Sequence, residues 1–285
     1  MPVLTIARLT LAEAVRRRLF LALLLLTLGS IVLSWWGFSQ VATFQPRGEP
    51  LTPAQRTLLE SQLLILVTFM FSFVLGISAA FIAAPLMASD LESGVVLAML
   101  ARPIRRAELV LGKWIGVFLL VGGYTAAAGI AELVVVELTT GYSPPHPVEA
   151  IGFLVAEATI LLTLALALAT RLSAITTGVL VVGAFGVAWV LGIIGGIGTA
   201  FDNPTVEAIG DLSRLLLPTD GLWRGALYQL EPAAVLLAYT QAPRAAAAFP
   251  FYVDAPASLA YVAWCVAWIV AVLLGGMWSF RRREL

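Results

Sequence analysis

Six long apolar runs recur along the chain, each bounded by charged or Pro/Gly-rich stretches: Leu19–Phe38, Leu63–Met87, Trp114–Leu138, Val148–Thr170, Ala174–Thr199 and Leu259–Phe280. A hydrocarbon core takes about 20 residues to cross as helix. Helix is required because a backbone facing lipid must pair its own polar groups. The pattern predicts an all-α integral membrane protein with six transmembrane helices in a single transmembrane domain over residues 1–285. Ahead of the first run, Leu4, Ala7, Leu11 and Val15 fall on one helical stripe, with Thr5, Glu13, Arg16 and Arg17 mostly opposite. That predicts an interfacial helix lying on the membrane face. A cleaved signal peptide is not expected, since the first apolar run is long and lacks a small-residue cleavage site.

The segment 89–113 interrupts the apolar pattern with a charged island. Ser89-Asp90-Leu91-Glu92 has the S-x-x-E spacing of a capping box, which predicts a helix starting at Ser89 and running through Val95, Val96, Leu97 and Leu100. Pro103 cannot continue it and disfavours helical geometry at Arg102, but it can open the next helix. That second helix carries Arg105, Arg106, Glu108 and Lys113 up to the third span.

The remaining connections differ in character. Ser39–Gln62, with Pro46, Gly48, Pro50 and Pro53, reads as an outer loop containing one helical turn. Thr139–Pro147 is a short turn in which three prolines frame His146, a loop residue near a helix start. Residues 201–258 are long and patterned. Asn203-Pro204 signals a helix start, followed at helical spacing by Val206, Ile209, Leu212, Leu215 and Leu216. Pro218 ends that helix, and Thr219-Asp220 can cap another whose apolar side is Leu222, Trp223, Ala226, Leu227 and Leu230. Two short outer amphipathic helices result, suited to a lid, a docking surface or a seal on the bundle.

Composition strengthens the membrane reading: 60% of residues are hydrophobic and only 12% charged, against about 25% charged in soluble domains. The formal net charge is zero, but its distribution is uneven. With both termini in the cytoplasm, twelve of the 17 basic residues lie on inner segments, as the bias of basic residues to the cytoplasmic side requires. The expected location is therefore the cell membrane, multi-pass, with both termini cytoplasmic. Cys265, the single cysteine, lies inside the last run, so no intrachain disulfide is possible.

Catalytic motifs are missing. One histidine and one cysteine support no ordinary metal or Cys–His site. Gly112-Lys113 does not continue a phosphate loop, because Ala107 replaces the first glycine and Trp114 the Ser or Thr. No basic–aromatic interleaving suggests nucleic acid. The chain is therefore expected to be no enzyme and to hold no cofactor or metal. Glu132, Glu137 and Glu157 fall in or near the spans. Carboxylates there should face the bundle interior or a wet cavity, making Glu132 and Glu157 candidates for a translocation path, with an interspan hydrogen bond the alternative for Glu157. Gly112 and Gly116 in G-x-x-x-G spacing permit close helix approach. Gly192, Gly195, Gly196 and Gly198 suggest a bend or an unwound helix end.

The order of a basic first helix, two spans, a segment reading E-x-G…L-x-R-P-I-x-R…E…GK, further spans and an outer L-L-P-T-D-G-L-W resembles the membrane subunit of type-2 ATP-binding-cassette (ABC) transporters. The likeness extends to the branch linked to multi-copper enzyme and nitrous-oxide reductase maturation. It covers essentially the whole chain. Its most specific residues are Glu92, Gly94, Arg102, Pro103, Arg106 and Gly112-Lys113, with Leu217, Pro218, Thr219 and Asp220 as a weaker outer mark. The resemblance implies that Ser89–Ala101 is a coupling helix seated in a separate ATPase subunit, with Ser89, Asp90, Glu92, Ser93, Gly94, Arg102, Pro103, Arg105, Arg106 and Lys113 serving the contact. It implies ATP and magnesium in that partner, a second permease copy in a homodimer, work as an exporter, and room for an extracytoplasmic accessory protein. Two other classes stay open on the residues alone: a proton-coupled secondary transporter using Glu132 and Glu157, and a membrane scaffold docking an extracytoplasmic partner.

Overall fold

The computed structural model describes residues 2–43, 51–94, 104–241, 246–247, 249–253 and 255–283. Among them the secondary structure is helical throughout, in ten helices. These are α1 (Pro2–Val15), α2 (Arg18–Thr43), α3 (Pro53–Glu92), α4 (Arg106–Thr140), α5 (Pro147–Ala169), α6 (Ala174–Ala200), α7 (Pro204–Leu216), α8 (Thr219–Leu230), α9 (Ala233–Gln241) and α10 (Leu259–Arg281). Six of them, α2 to α6 and α10, are long and apolar enough to cross a membrane.

The two longest helices form the spine. At about 1.5 Å per residue, the 40 residues of α3 reach about 60 Å and the 35 of α4 about 52 Å, well beyond the roughly 30 Å of a hydrocarbon core. Both project past it. The start of α3 is set by Thr52: its hydroxyl accepts from the Gln55 N–H (3.4 Å), while the Gln55 side chain accepts from the Thr52 N–H (3.0 Å). Residues 53–62, expected as loop, are thus the first turns of α3, because a T-P-x-Q box caps them.

The other end of α3 also departs from expectation. Ser89 does not begin a helix. Its hydroxyl donates back to the Pro85 carbonyl, and α3 continues to Glu92. The stop comes at Ser93 and at Gly94, whose φ of +74° is the left-handed geometry that glycine adopts after a helix. Most of the expected coupling helix Ser89–Ala101, and Arg102 and Pro103 after it, lie outside the described residues. The described part of α4 starts from Arg105, which is extended and whose N–H donates to the Glu108 carboxylate at 2.8 Å. The expected opening of this helix at Pro103 lies outside the described residues.

The main core joins α3, α4, α5 and α6 through Leu75, Ala79, Val117, Leu161, Leu162 and Phe185, among others. α2 and α10 lie at the periphery. α2 buries only a narrow stripe that includes Leu23, Thr27, Ser34 and Phe38, and α10 buries Cys265, Gly276 and Phe280. Their other apolar faces suit lipid, which competes with protein for apolar surface.

Small residues seat the short helices. α1 lies on the G-x-x-x-G face of α4: a Cβ at Gly112 would fall 2.7 Å from Ile6 Cβ, and one at Gly116 2.6 Å from the Ala7 carbonyl oxygen. The buried side of α1 is accordingly Ile6, Ala7, Thr10 and Ala14, while Leu4 and Val15 of the expected stripe are exposed. At the opposite end α6 runs unbroken to Ala200. Its glycines form a packing seam and no unwound end: Gly195 would meet Gly210 Cα at 2.7 Å and Gly198 the Glu207 nitrogen at 2.4 Å. Replacing Gly116 by valine should lift α1 off α4, with a destabilisation of about 1–3 kcal/mol typical of overpacking. In a Cys265→Ser background, an Ala7→Cys thiol should resist maleimide in the parent and react in Gly116→Val.

Candidate functional site

The end of the bundle that carries α1 gathers most of the residues predicted to serve coupling. The side chain of Lys113 on α4 is 2% exposed and forms an ion pair with Asp90 on the last turn of α3. Its ammonium also donates to the Leu86 carbonyl. This clasp joins the two helix ends that flank segment 95–103. Such a pair gains from mutual attraction in a low dielectric, but each charge depends on the other for that gain. Arg17 braces the same place, donating to Ser89 Oγ at 3.3 Å and pairing with Glu13 at 2.5 Å.

Arg106 turns the other way. It donates to the carbonyls of Phe280 (3.3 Å), Arg281 (3.2 Å) and Arg283 (2.6 Å), adding a guanidinium donor to the acceptors at the end of α10. Arg283 in turn donates to the Thr170 carbonyl at the end of α5, and Arg171 to Ser279 Oγ at 3.0 Å. Asp90, Arg106 and Lys113 are thus engaged within the chain. Glu92, Ser93 and Arg105 are exposed beside the clasp.

The acids of the spans separate. Glu137 is exposed, whereas Glu132 and Glu157 are buried. Glu157 on α5 accepts from Ser72 on α3 at 2.9 Å, a polar link across the core. Glu132 is hydrogen-bonded by Ser34 of α2 and borders a cavity of about 20 Å3, room for a single water. Its Oε1 has no partner among the described residues.

The opposite end is organised around Asp220. Leu217 and Pro218 form the break between α7 and α8, Thr219 opens α8, and Asp220 is buried beneath it. The Asp220 carboxylate accepts from Arg214 Nε at 2.9 Å and from Arg224 Nε at 3.0 Å. Arg224 also donates to the carbonyls of Tyr252 (2.7 Å) and Gly192 (3.3 Å). Gly192 must lack a side chain, since a Cβ would lie 2.3 Å from the Asp220 carboxyl. α10 holds the C-terminal turn of α7 through an aromatic row: Tyr261, Trp264 and Trp268 donate to the carbonyls of Arg214 (3.3 Å), Leu215 (3.1 Å) and Leu216 (2.9 Å). Ser72, Arg214, Arg224 and this row escaped sequence reading. The spacing of Tyr261, Trp264 and Trp268 on one face of a span was the available signal.

The family model described as "ABC-2 family transporter protein" matches residues 4–285, and the chain belongs to that family. Among curated proteins it is similar to the "Probable ABC transporter permease protein NosY" of Pseudomonas aeruginosa, 32% identical over 142 residues. That match covers 47% of this chain and 48% of the relative, so the chain spans about half the length of the curated relative it matches.

Removing one partner of the buried clasp should cost about 3–5 kcal/mol, whereas replacing both by apolar residues should cost far less. SDS-titration unfolding of Lys113→Met, Asp90→Leu and the double variant should therefore show strong non-additivity, with the double variant at least as stable as the weaker single.

Proposed function

We propose that this chain is the membrane-spanning permease subunit of an ABC transporter, driven by a separate ATPase subunit that engages the connection between α3 and α4. Supporting it is the placement of exposed Glu92, Ser93 and Arg105 on two helix ends that Lys113 and Asp90 clasp together. A push on segment 95–103 reaches both helices at once, and α1, seated on Gly112 and Gly116, moves with α4. The exposed charges suit charge-assisted contacts to a soluble partner. ATP and magnesium belong to that partner, and this chain supplies no catalytic group.

In this reading the α1 end is cytoplasmic, as are both termini, and the membrane is the cell membrane. Two permease copies and two ATPases form the working unit, and substrate leaves through the α7–α8 end, where the Asp220 cluster holds a lid of short helices. Leu217, Pro218, Thr219 and Asp220 form its hinge. Export fits a closed outer end that opens on the power stroke. The lid also presents a surface for an extracytoplasmic accessory protein. The Ser72 hydrogen bond to Glu157 favours a fixed polar link over a proton route for that residue.

Capture of the tagged chain from its native membrane should bring down a protein with a nucleotide-binding domain. The charge reversal Glu92→Arg/Arg105→Glu should lower that capture at least tenfold while membrane insertion is unchanged. Undiminished capture, measured by quantitative mass spectrometry, would remove the reading.

A further inference from the structure

Beside the α8 end lies a second polar cluster that the transport reading leaves unused. Glu231, between α8 and α9, is 1% exposed, and Glu60 on α3 is 3% exposed. Tyr239 of α9 donates to Glu231 Oε1 at 3.1 Å, and Gln62 of α3 hydrogen-bonds the same phenol. Glu231 Oε2 and Glu60 Oε1 are both buried, and neither has a hydrogen-bond partner among the described residues. Tyr142, which donates to the Leu230 carbonyl at 3.1 Å, sits close to both acids. Burial, and then the charges of Glu231 and Glu60, push its phenol upward. Arg56, one turn from Glu60, is the cation acting on that acid.

This cluster backs onto a cavity of about 800 Å3 between the start of α3 and α9. Its wall is mainly apolar, with Leu58, Val235 and Phe249, while Gln62 and Tyr239 supply the polar side. Tyr239 therefore belongs to both the cavity and the acid pair, and its ring packs edge-on against Tyr252 at 5.2 Å. The volume suits a small organic molecule. Buried carboxylate oxygens without donors cost free energy that a nearby positive charge offsets. An aromatic wall is attractive to the same charge through its π faces.

We infer that this cavity is a binding site for amphipathic organic cations, which place the apolar body against Leu58, Val235 and Phe249 and the positive charge toward Tyr239 and Glu231. Discrimination comes from the field of Glu231, acting through a low-dielectric wall where a charge is felt strongly. Burial raises the Glu231 carboxyl to about 7 against the opposing hydrogen bond from Tyr239. Cation binding should accordingly be full above that value and weaken as pH falls through it. Glu231 is met by Tyr239 from α9 and by Tyr142 after α4; Tyr142 also feels Glu60 of α3, on which Arg56 acts, and Tyr239 packs against Tyr252. The site does not depend on an ATPase, so its failure and that of the transport reading are separable.

The test uses the full chain in phosphatidylcholine nanodiscs, with tetraphenylphosphonium and tetraphenylborate, ions of one shape and opposite charge. Binding is measured by equilibrium dialysis against protein-free discs. At pH 8 the phosphonium should bind at least tenfold more tightly than the borate. Glu231→Gln, which keeps an acceptor for Tyr239, should lose that preference and its pH response. Val235→Trp should abolish binding of the phosphonium by filling the cavity. Equal binding of the two ions, a preference unchanged in Glu231→Gln, or binding unaffected by Val235→Trp would each overturn the assignment.

Discussion

A single ion pair sets the terms for the α1 end of this molecule. Lys113 lies in the wall of the bundle, where an ammonium is tolerable only with a counter-charge and full hydrogen bonding. Asp90 and the Leu86 carbonyl meet that demand. Both are on the last turns of α3, so the requirement of one charge dictates how far α3 must remain helical and where α4 must begin beside it. The break at Ser93 and Gly94 follows immediately after. A nearby glycine pair admits α1 against the same stretch of α4, and Arg17 ties the α1–α2 junction to Ser89. The result is one clasped unit formed from three helices at the base of the two longest.

The two ends of the bundle solve different problems with the same means. At one end glycines on α4 accept α1, and at the other glycines on α6 accept α7 and the Asp220 carboxyl. Buried charge then locks each arrangement, through Lys113 and Asp90 in the first case and through Asp220 with two arginines in the second. Between them the core is apolar, crossed by the Ser72–Glu157 hydrogen bond. The two locked ends are thus joined by an apolar core in a chain of the ABC-2 transporter family.

The six spans and the α7 and α8 helices were legible because apolar periodicity and the Asn203 and Pro218 signals act locally. Helix ends were less so. Ser89-x-x-Glu92 matches a capping box in spelling, yet a serine in an established helix can instead return its proton to the carbonyl one turn back, and here it does. Thr52 and Gln55 form the true box, masked by surrounding prolines that favoured a loop reading. The protein-facing side of α1 was not legible: it packs Ile6, Ala7, Thr10 and Ala14 onto the α4 glycines, a contact set by tertiary structure. Lys113 was expected at a contact with a partner, and its burial was not legible, because only tertiary contact reveals Asp90 beneath it. The pairing of Asp220 with Arg214 likewise depends on how α7 and α8 fold back on each other, whereas Arg224, four residues along the same helix, was within local reach.

Amide hydrogen exchange, followed by mass spectrometry on the full chain and on Lys113→Met, reads the clasp most directly. Loss of the pair should raise exchange together in residues 86–94, in the first turns of α4 and in α1. Faster exchange confined to the turn around residue 113, with α1 and the end of α3 as protected as before, would contradict the central role given to Lys113 and Asp90.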